Sequence, residues 1–165
     1  MAKFFEIDFL EAGNSCSGDA IGIRYADNND VEWVHVVDGG YTDDGDNLVE
    51  HIKKYGNPTL IDHVVLTHPD GDHAAGLKKV LESFSVGALW MNRPWNHIQE
   101  LLPLFEYDYT EAGLIQRLKK DFPRTAELEA LANEKGIQIN DTFQGAQVGA
   151  FTVLAPTRGR YIQMV

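Results

Sequence analysis

The most constraining feature of this chain is one segment, Thr67-His68-Pro69-Asp70-Gly71-Asp72-His73, which places two imidazoles and two carboxylates within six positions. The apolar, β-branched stretch 61–66 before it predicts a buried strand. The stretch 74–84 after it carries apolar residues at three- and four-residue spacing, which predicts a helix. The polar cluster therefore lies where a strand ends and a helix begins, the position at which open α/β sheets bind ligands.

The polar side chains of this segment are groups that bind divalent metal ions. Imidazole nitrogen and carboxylate oxygen together suit zinc, manganese or iron. One or two cations would also neutralise carboxylates that are costly to remove from water. Pro69 and Gly71 alternate with the candidate ligands, and we expect them to make the loop stiff while it turns the polar groups inward. Gly76 is expected to let the helix approach the loop closely. The alternative is a polar surface turn with Asp72 as the N-cap of the helix.

The segment His68-Pro69-Asp70-Gly71-Asp72-His73 resembles the H-x-[HD]-x-D-H signature of the metallo-β-lactamase superfamily. Its third position is aspartate and Ala74-Ala75-Gly76-Leu77 follows, which is most similar to the hydrolase domain of ComEC-type DNA-uptake proteins and their soluble stand-alone relatives. Glu11 stands where that subgroup usually has aspartate. Further segments that resemble parts of this domain are 9–13 with Gly18-Asp19-Ala20, Val37-Asp38-Gly39-Gly40 and Val153-Leu154-Ala155-Pro156.

The resemblance implies a role for each residue of the motif. His68 and Asp70 would bind a first metal ion, and Asp72 and His73 would bind a second. Asp72 would also orient the catalytic water, and Asp38 would be an outer group near the metal loop. The implied chemistry is hydrolysis by a metal-bound hydroxide, since a metal lowers the pKa of bound water to about 7 and polarises the scissile bond. The implied cofactor is zinc, with manganese or iron as alternatives and up to two ions.

The resemblance also implies the fold, an α/β metallo-β-lactamase-like αββα sandwich with two sheets. We expect residues 1–165 to be a single domain that holds the N-terminal part of this sandwich, with a helical insertion near 94–135. A half-sandwich would expose an apolar sheet face, which favours a further portion or a partner chain. The later family ligands have no recognisable counterpart among the remaining candidates, which are His97, Asp108, Asp121 and Asp141.

Periodicity elsewhere predicts a mixed order of strands and helices, with a hairpin turn at Asn28-Asn29-Asp30. The predicted strands are 4–10, 20–25, 31–38, 61–66, 86–91, 137–139, 142–143 and 151–154. The predicted helices are 47–55, 74–84, 95–106, 111–120 and 124–135.

The cysteine content and the apolar runs indicate the cellular compartment. The single cysteine, Cys16, excludes an internal disulfide and is typical of a reducing compartment, so we expect a cytoplasmic protein. No run of 18 apolar residues occurs, and the first residues lack the apolar stretch of a signal peptide.

The net charge of the chain limits which partners it can bind. The net charge of −11 disfavours nucleic acid as a partner, because a chain with this charge provides no basic stripe that neutralises phosphates.

The remaining histidines are interpreted from their positions in the predicted elements. His35 and His63 lie in predicted strands and are interpreted as packed, whereas His51 is interpreted as solvated. The aromatic residues of the helical stretch favour packing over a substrate pocket, and these are Trp90, Trp95, Phe105, Tyr107, Tyr109 and Phe122.

Three functions remain open. The first is a metal-dependent hydrolase acting on a small-molecule ester or phosphodiester. The second is a binding or regulatory module with this fold and no complete metal centre. The third is a nucleic-acid-processing subunit completed by another chain, or by a second copy in a homo-oligomer. A β-lactam substrate is not supported, because Asp70 replaces an imidazole that β-lactam-cleaving members usually have.

Overall fold

The computed structural model describes residues 4–12, 18–106 and 108–165. The predictions for Cys16, Tyr107 and the first residues of the chain lie outside these described residues. The strands are β1 (Phe4–Leu10), β2 (Ala20–Ala26), β3 (Glu32–Gly39), β4 (Leu60–Val65), β5 (Ser85–Trp90), β6 (Gln138–Asn140), β7 (Gln147–Val148) and β8 (Phe151–Thr152). The helices are α1 (Thr42–Tyr55), α2 (Gly71–Ala74), α3 (Leu77–Ser83), α4 (Ile98–Leu101), α5 (Glu111–Asp121), α6 (Pro123–Glu134) and α7 (Arg158–Met164).

The main sheet has six strands in the order of the sequence, β1-β2-β3-β4-β5-β6. The pairs β1–β2 and β2–β3 are antiparallel, and the pairs from β3 to β6 are parallel. Parallel neighbours need crossover connections, which α1, the α2–α3 segment and the helical segment 94–134 supply. The carboxyl ends of β3 to β6 therefore meet at one edge of the sheet. The predicted mixed α/β fold is confirmed, and the sheet with its helices is consistent with a metallo-β-lactamase-like fold.

The core lies between one face of this sheet and α1, α3 and α6. Val36, Val64 and Leu89 occupy matching positions on three adjacent strands and are fully buried against the helices. A second apolar cluster holds the helical segment together around Trp95, and it contains Ile98, Leu101, Leu114, Leu118 and Ile162. Phe105, Tyr109 and Phe122 pack against this cluster, as the sequence indicated.

The other face of the sheet is only partly covered. The β7–β8 hairpin packs on it, since the backbone N–H of Ala150 donates to the Tyr25 hydroxyl at 3.0 Å. Along the edge strand β1, Phe5, Ile7 and Phe9 are 51%, 41% and 74% exposed. An apolar stripe therefore faces solvent on this side. Among the described residues, no helix combines the length and apolar character that a membrane span requires.

Several predicted elements differ from the structure near turns and prolines. The helix predicted at 47–55 begins at Thr42, where the Asp44 carboxylate accepts the Tyr41 backbone N–H at 2.8 Å. The helix predicted at 74–84 is divided into α2 and α3 by the close approach of Gly76 to β3. The stretch 95–106 holds only α4 between two 3-10 turns, and Pro103, which has no backbone N–H to donate, interrupts regular helical hydrogen bonding after α4.

The C-terminal part of the chain brings further corrections. The strand predicted at 142–143 is wrong, because the Thr142 N–H donates to the Asn92 side chain at 2.9 Å instead of to a strand. The strand predicted at 151–154 ends at Thr152. Helix α7 was not predicted, although the Thr157 side chain caps it. The interpretation of His51 as solvated is also wrong, since its Nε2 lies 3.0 Å from Asp8 Oδ2.

Candidate metal centre

The motif segment connects β4 to α2 at the carboxyl edge of the sheet. His68 and Asp70 lie in the loop after β4, as the strand–loop–helix pattern predicted. Asp72 and His73 lie in α2, because the helix begins at Gly71, three residues earlier than predicted. The residue that precedes the helix is Asp70, and its side chain makes no capping hydrogen bond. The alternative of a surface turn with Asp72 as N-cap is therefore wrong. The motif carboxylates are not used to cap this helix.

Asp38 is the second-last residue of β3, directly beside the motif loop, and is 1% exposed. Its φ of 57° lies in the left-handed region, which is uncommon for a residue with a side chain and recurs at functional sites. Its carboxylate accepts three hydrogen bonds. The donors are the Thr67 backbone N–H at 2.8 Å, the Thr67 hydroxyl at 2.5 Å and the His73 Nδ1–H at 2.9 Å. Three donors compensate the cost of burying this charge.

This network fixes which nitrogen of each imidazole carries hydrogen. His73 donates Nδ1–H to Asp38, so its Nε2 keeps a free lone pair. The Thr67 hydroxyl gives its one hydrogen to Asp38 and accepts from His68 Nδ1 at 2.8 Å, so the Nε2 of His68 is also free. The two rings lie 3.9 Å apart between centroids. Asp38 and Thr67 thus hold two imidazoles side by side in the tautomer that binds metal through Nε2.

Each free nitrogen lies beside a carboxylate of the same motif. His68 Nε2 is 3.7 Å from Asp70 Oδ2, and His73 Nε2 is 3.9 Å from Asp72 Oδ2. Two ligand atoms on one tetrahedral metal ion, each about 2.1 Å from it, lie roughly 3.4 Å apart. Among the described residues, one group of three metal-binding side chains has ligand atoms within 4.8 Å of one another, and it consists of Asp38, His68 and His73. This group of three offers ligand atoms for one divalent metal ion, whereas Asp70 and Asp72 lie outside it.

Two glycines allow the surrounding segments to touch. A Cβ on Gly76 would overlap the carbonyl oxygen of Gly39, so β3 and the start of α3 are in backbone contact. A close approach at Gly76 was predicted, but its partner is the backbone of Gly39 in β3 and not the motif loop. Gly18 has a φ of 97°, and a Cβ there would lie 2.5 Å from the carbonyl oxygen of Asp72. The segment before β2 is therefore in backbone contact with the motif segment.

Two residues of this site, Thr67 and Asp19, had no predicted role in it. Thr67 belongs to the quoted segment, but its hydroxyl was not linked to the imidazoles. Asp19 follows Gly18, and its Oδ2 lies 3.8 Å from His73 Nδ1. Its sequence signal was the resemblance of Gly18-Asp19-Ala20 to the family segment, which carries no information about a partner 54 positions later.

The other candidate residues lie outside this cluster. His97 is 4% exposed in the helical segment, and both of its ring nitrogens lack a hydrogen-bond partner. Its Nε2 lies 3.9 Å from Asp141, which follows β6. Asp121 pairs with Arg117 on α5. His35 and His63 pack against each other within the sheet, as expected, with ring centroids 4.8 Å apart.

The fold and the cluster of Asp38, His68 and His73 define an α/β protein with a candidate metal site at the carboxyl edge of its sheet. The family model described as "Metallo-beta-lactamase superfamily" matches residues 28–159. The match includes the end of β3, the motif loop and most of the main sheet. The chain therefore belongs to the metallo-beta-lactamase superfamily, a family of metal-dependent hydrolases. No curated protein matches the chain.

Proposed function

We propose that this protein is a metal-dependent hydrolase that cleaves a phosphodiester or a related ester. The observation that carries the proposal is the network of Asp38 and Thr67, which leaves the Nε2 atoms of His68 and His73 free and beside carboxylates. Such second-layer hydrogen bonds orient metal-binding histidines and raise their basicity. A structural role alone would not require both imidazoles to be held in this tautomer.

In this proposal His68 and Asp70 hold one ion, and Asp72 and His73 hold a second. Zinc is the proposed metal, with manganese or iron as alternatives, because the donors are imidazole and carboxylate. A divalent ion bound there lowers the pKa of water and polarises the scissile bond. Asp72 accepts a hydrogen bond from the attacking water, and Asp38 keeps His73 in place.

The exposure of the four side chains indicates the side from which substrate approaches. The His68 and Asp70 side chains are 45% and 72% exposed, whereas those of Asp72 and His73 are 23% and 11% exposed. The substrate therefore meets the His68–Asp70 side first. The resemblance to ComEC-type hydrolase domains supports a phosphodiester, and the net charge of −11 supports a small one over a nucleic acid.

The proposal extends to the organisation of the chain. Residues 1–165 form a single domain that corresponds to the N-terminal part of the family sandwich, with a helical insertion near 94–135. The location is cytoplasmic, which the use of a single cysteine supports.

The test is hydrolysis of bis(p-nitrophenyl) phosphate by the purified chain loaded with Zn²⁺ or Mn²⁺. We expect metal-dependent turnover that falls roughly 100-fold or more in Asp72→Asn, because the residue that orients the water is lost. Asp46→Asn is the matched control, since Asp46 on α1 forms an exposed ion pair with Lys79 on α3, and the change is expected to leave turnover unchanged. Metal-loaded protein that does not cleave the diester would contradict the proposal. If the same protein cleaves a β-lactam, the metal-dependent hydrolase stands and the proposed substrate class is wrong.

A second candidate is a module of this fold that another polypeptide completes. The exposed stripe of Phe5, Ile7 and Phe9 on edge strand β1 favours it, because apolar patches of this kind mark interaction surfaces. The covering polypeptide is a second copy or a partner chain, including a partner in nucleic-acid processing. Sedimentation of the wild type beside Phe9→Asp tests a second copy, for which we expect a dimer that dissociates in the variant. A wild type that stays monomeric at high concentration would exclude the second copy.

A further inference from the structure

Asp19 lies between the two segments that build the metal centre. Its backbone carbonyl accepts the N–H of Gly40 at 2.8 Å, which ties it to the turn after Asp38. The preceding residue, Gly18, rests on the backbone of Asp72. Asp19 is therefore held by main-chain contacts on both sides, and a change of its side chain leaves these contacts in place.

The carboxylate of Asp19 is directed at His73. Its Oδ2 lies 3.8 Å from Nδ1 of His73, on the side of the ring where Asp38 accepts a hydrogen bond at 2.9 Å. The Asp38 side chain is 2% exposed and already accepts three hydrogen bonds, whereas the Asp19 side chain is 58% exposed. A buried carboxylate, from Asp38, and a solvent-exposed carboxylate, from Asp19, thus face the same nitrogen.

We propose that Asp19 is a positioning residue of the metal centre that acts through His73. The inference rests on the proposed metal binding, and it adds a residue from outside the motif. A second negative charge beside Nδ1–H makes the opposite nitrogen, Nε2, a stronger donor to a cation. Because the charge is solvent-exposed, its effect is smaller than that of Asp38, at the low end of the 10- to 100-fold range typical of such outer partners.

The test is a competition titration of Zn²⁺ and of Mn²⁺ against a fluorescent chelator, with the metal-free melting temperature measured in parallel. Asp19→Asn keeps the size of the side chain and both backbone contacts but removes the charge. Asp8→Asn is the matched control, because Asp8 also pairs with a histidine, His51, on the face of the sheet that α1 covers. We expect Asp19→Asn to weaken metal binding about tenfold with an unchanged melting temperature. Asp19→Glu is expected to restore most of the affinity, and Asp8→Asn to have wild-type affinity.

The outcomes separate this inference from the proposed function. If the wild type binds metal and Asp19→Asn binds it within twofold of the wild type, the role of Asp19 is overturned and the hydrolase proposal stands. An equal loss in Asp19→Asn and Asp8→Asn would also overturn it, since the effect would then be one of overall charge. If the wild type binds neither metal, both proposals fail together.

Discussion

The Nδ1 atom of His73 lies 2.9 Å from the Oδ2 atom of Asp38, a residue 35 positions earlier in the chain. This bond joins the end of β3 to α2, and it makes a buried carboxylate the partner of a candidate metal ligand. The same carboxylate binds Thr67 through both the backbone and the hydroxyl. The orientation of His73 and Thr67 therefore depends on the side chain of Asp38, which lies outside the motif.

Replacement of Asp38 by Asn should weaken metal binding 10- to 100-fold, because the amide cannot accept from all three donors. It should also lower the free energy of unfolding of the metal-free protein by about 1–3 kcal/mol, since a buried donor is left unpaired. Urea unfolding and metal titration measure the two effects. Asn tolerates the left-handed backbone of Asp38, so the variant tests the carboxylate and not the conformation.

Asp30→Asn is the matched control for this variant. Asp30 has a φ of 62°, similar to that of Asp38, but it lies in the turn between β2 and β3. We expect wild-type metal affinity in the control. Equal metal affinity in Asp38→Asn and the wild type would contradict the orienting role of Asp38.

Thr67→Val should reduce metal affinity although Thr67 is not a proposed ligand. The change removes the hydroxyl that accepts from His68 Nδ1 and donates to Asp38, while the backbone N–H to Asp38 remains. The ring of His68 then loses the partner that selects its tautomer, and we expect a loss of about tenfold. Thr67→Ser should recover the wild-type value, and a Val variant that binds as tightly as the wild type would refute the link.

Gly76→Ala should destabilise the fold by about 1–3 kcal/mol, because its Cβ would overlap the backbone of Gly39. Gly71→Ala is the control within the same motif region, since a Cβ at Gly71 has no atom within 4 Å. Thermal melting of both variants measures the difference. Similar melting temperatures for the two would show that β3 and α3 are not in contact as described.

Stability should fall between pH 6.5 and pH 4 because of His35. Burial, and then the neighbouring His63, lower the pKa of His35 to about 4, while the unfolded chain has the ordinary value of 6.5. The unfolded state therefore binds the proton first as the pH falls, and the free energy of unfolding decreases through this window. From pH 7 to pH 5 the loss from this group is about 2 kcal/mol.

The measurement is urea unfolding at pH 7 and pH 5 for the wild type and His35→Gln. Gln cannot titrate but can hydrogen-bond, as donor or acceptor, with the Tyr25 hydroxyl, which lies 3.3 Å from His35 Nε2. The decrease should shrink in this variant and persist in His51→Gln, at a histidine on α1. An identical decrease in His35→Gln and the wild type would exclude His35 as its source.

The features predicted correctly from the sequence are those that depend on residues close together in the chain. The motif lies at a strand–loop–helix junction because the apolar strand and the helical spacing stand immediately beside it, and β1 matches its predicted bounds of 4–10. The interpretation of His35 and His63 as packed residues follows from the same strand patterns. These predictions needed only neighbouring residues.

The features that could not be predicted depend on contacts between distant segments. The division of the helix at Gly76 reflects the backbone of Gly39, and no helical spacing reports that contact. The hydroxyl bond of Thr67 and the approach of Asp19 to His73 likewise join segments far apart in the chain. The strand predicted at 142–143 failed because side-chain bonds to Asn92 replaced a ladder.

The central claim, a divalent metal centre at His68 and His73, is tested most directly by counting bound metal. Elemental mass spectrometry after loading and desalting gives ions per chain for the wild type, His68→Ala and His73→Ala, with His51→Ala as the control histidine on α1. We predict about one or two ions of zinc, manganese or iron in the wild type and in His51→Ala, and a loss in the two motif variants. A wild type without bound metal, or motif variants that retain the full count, would contradict the account.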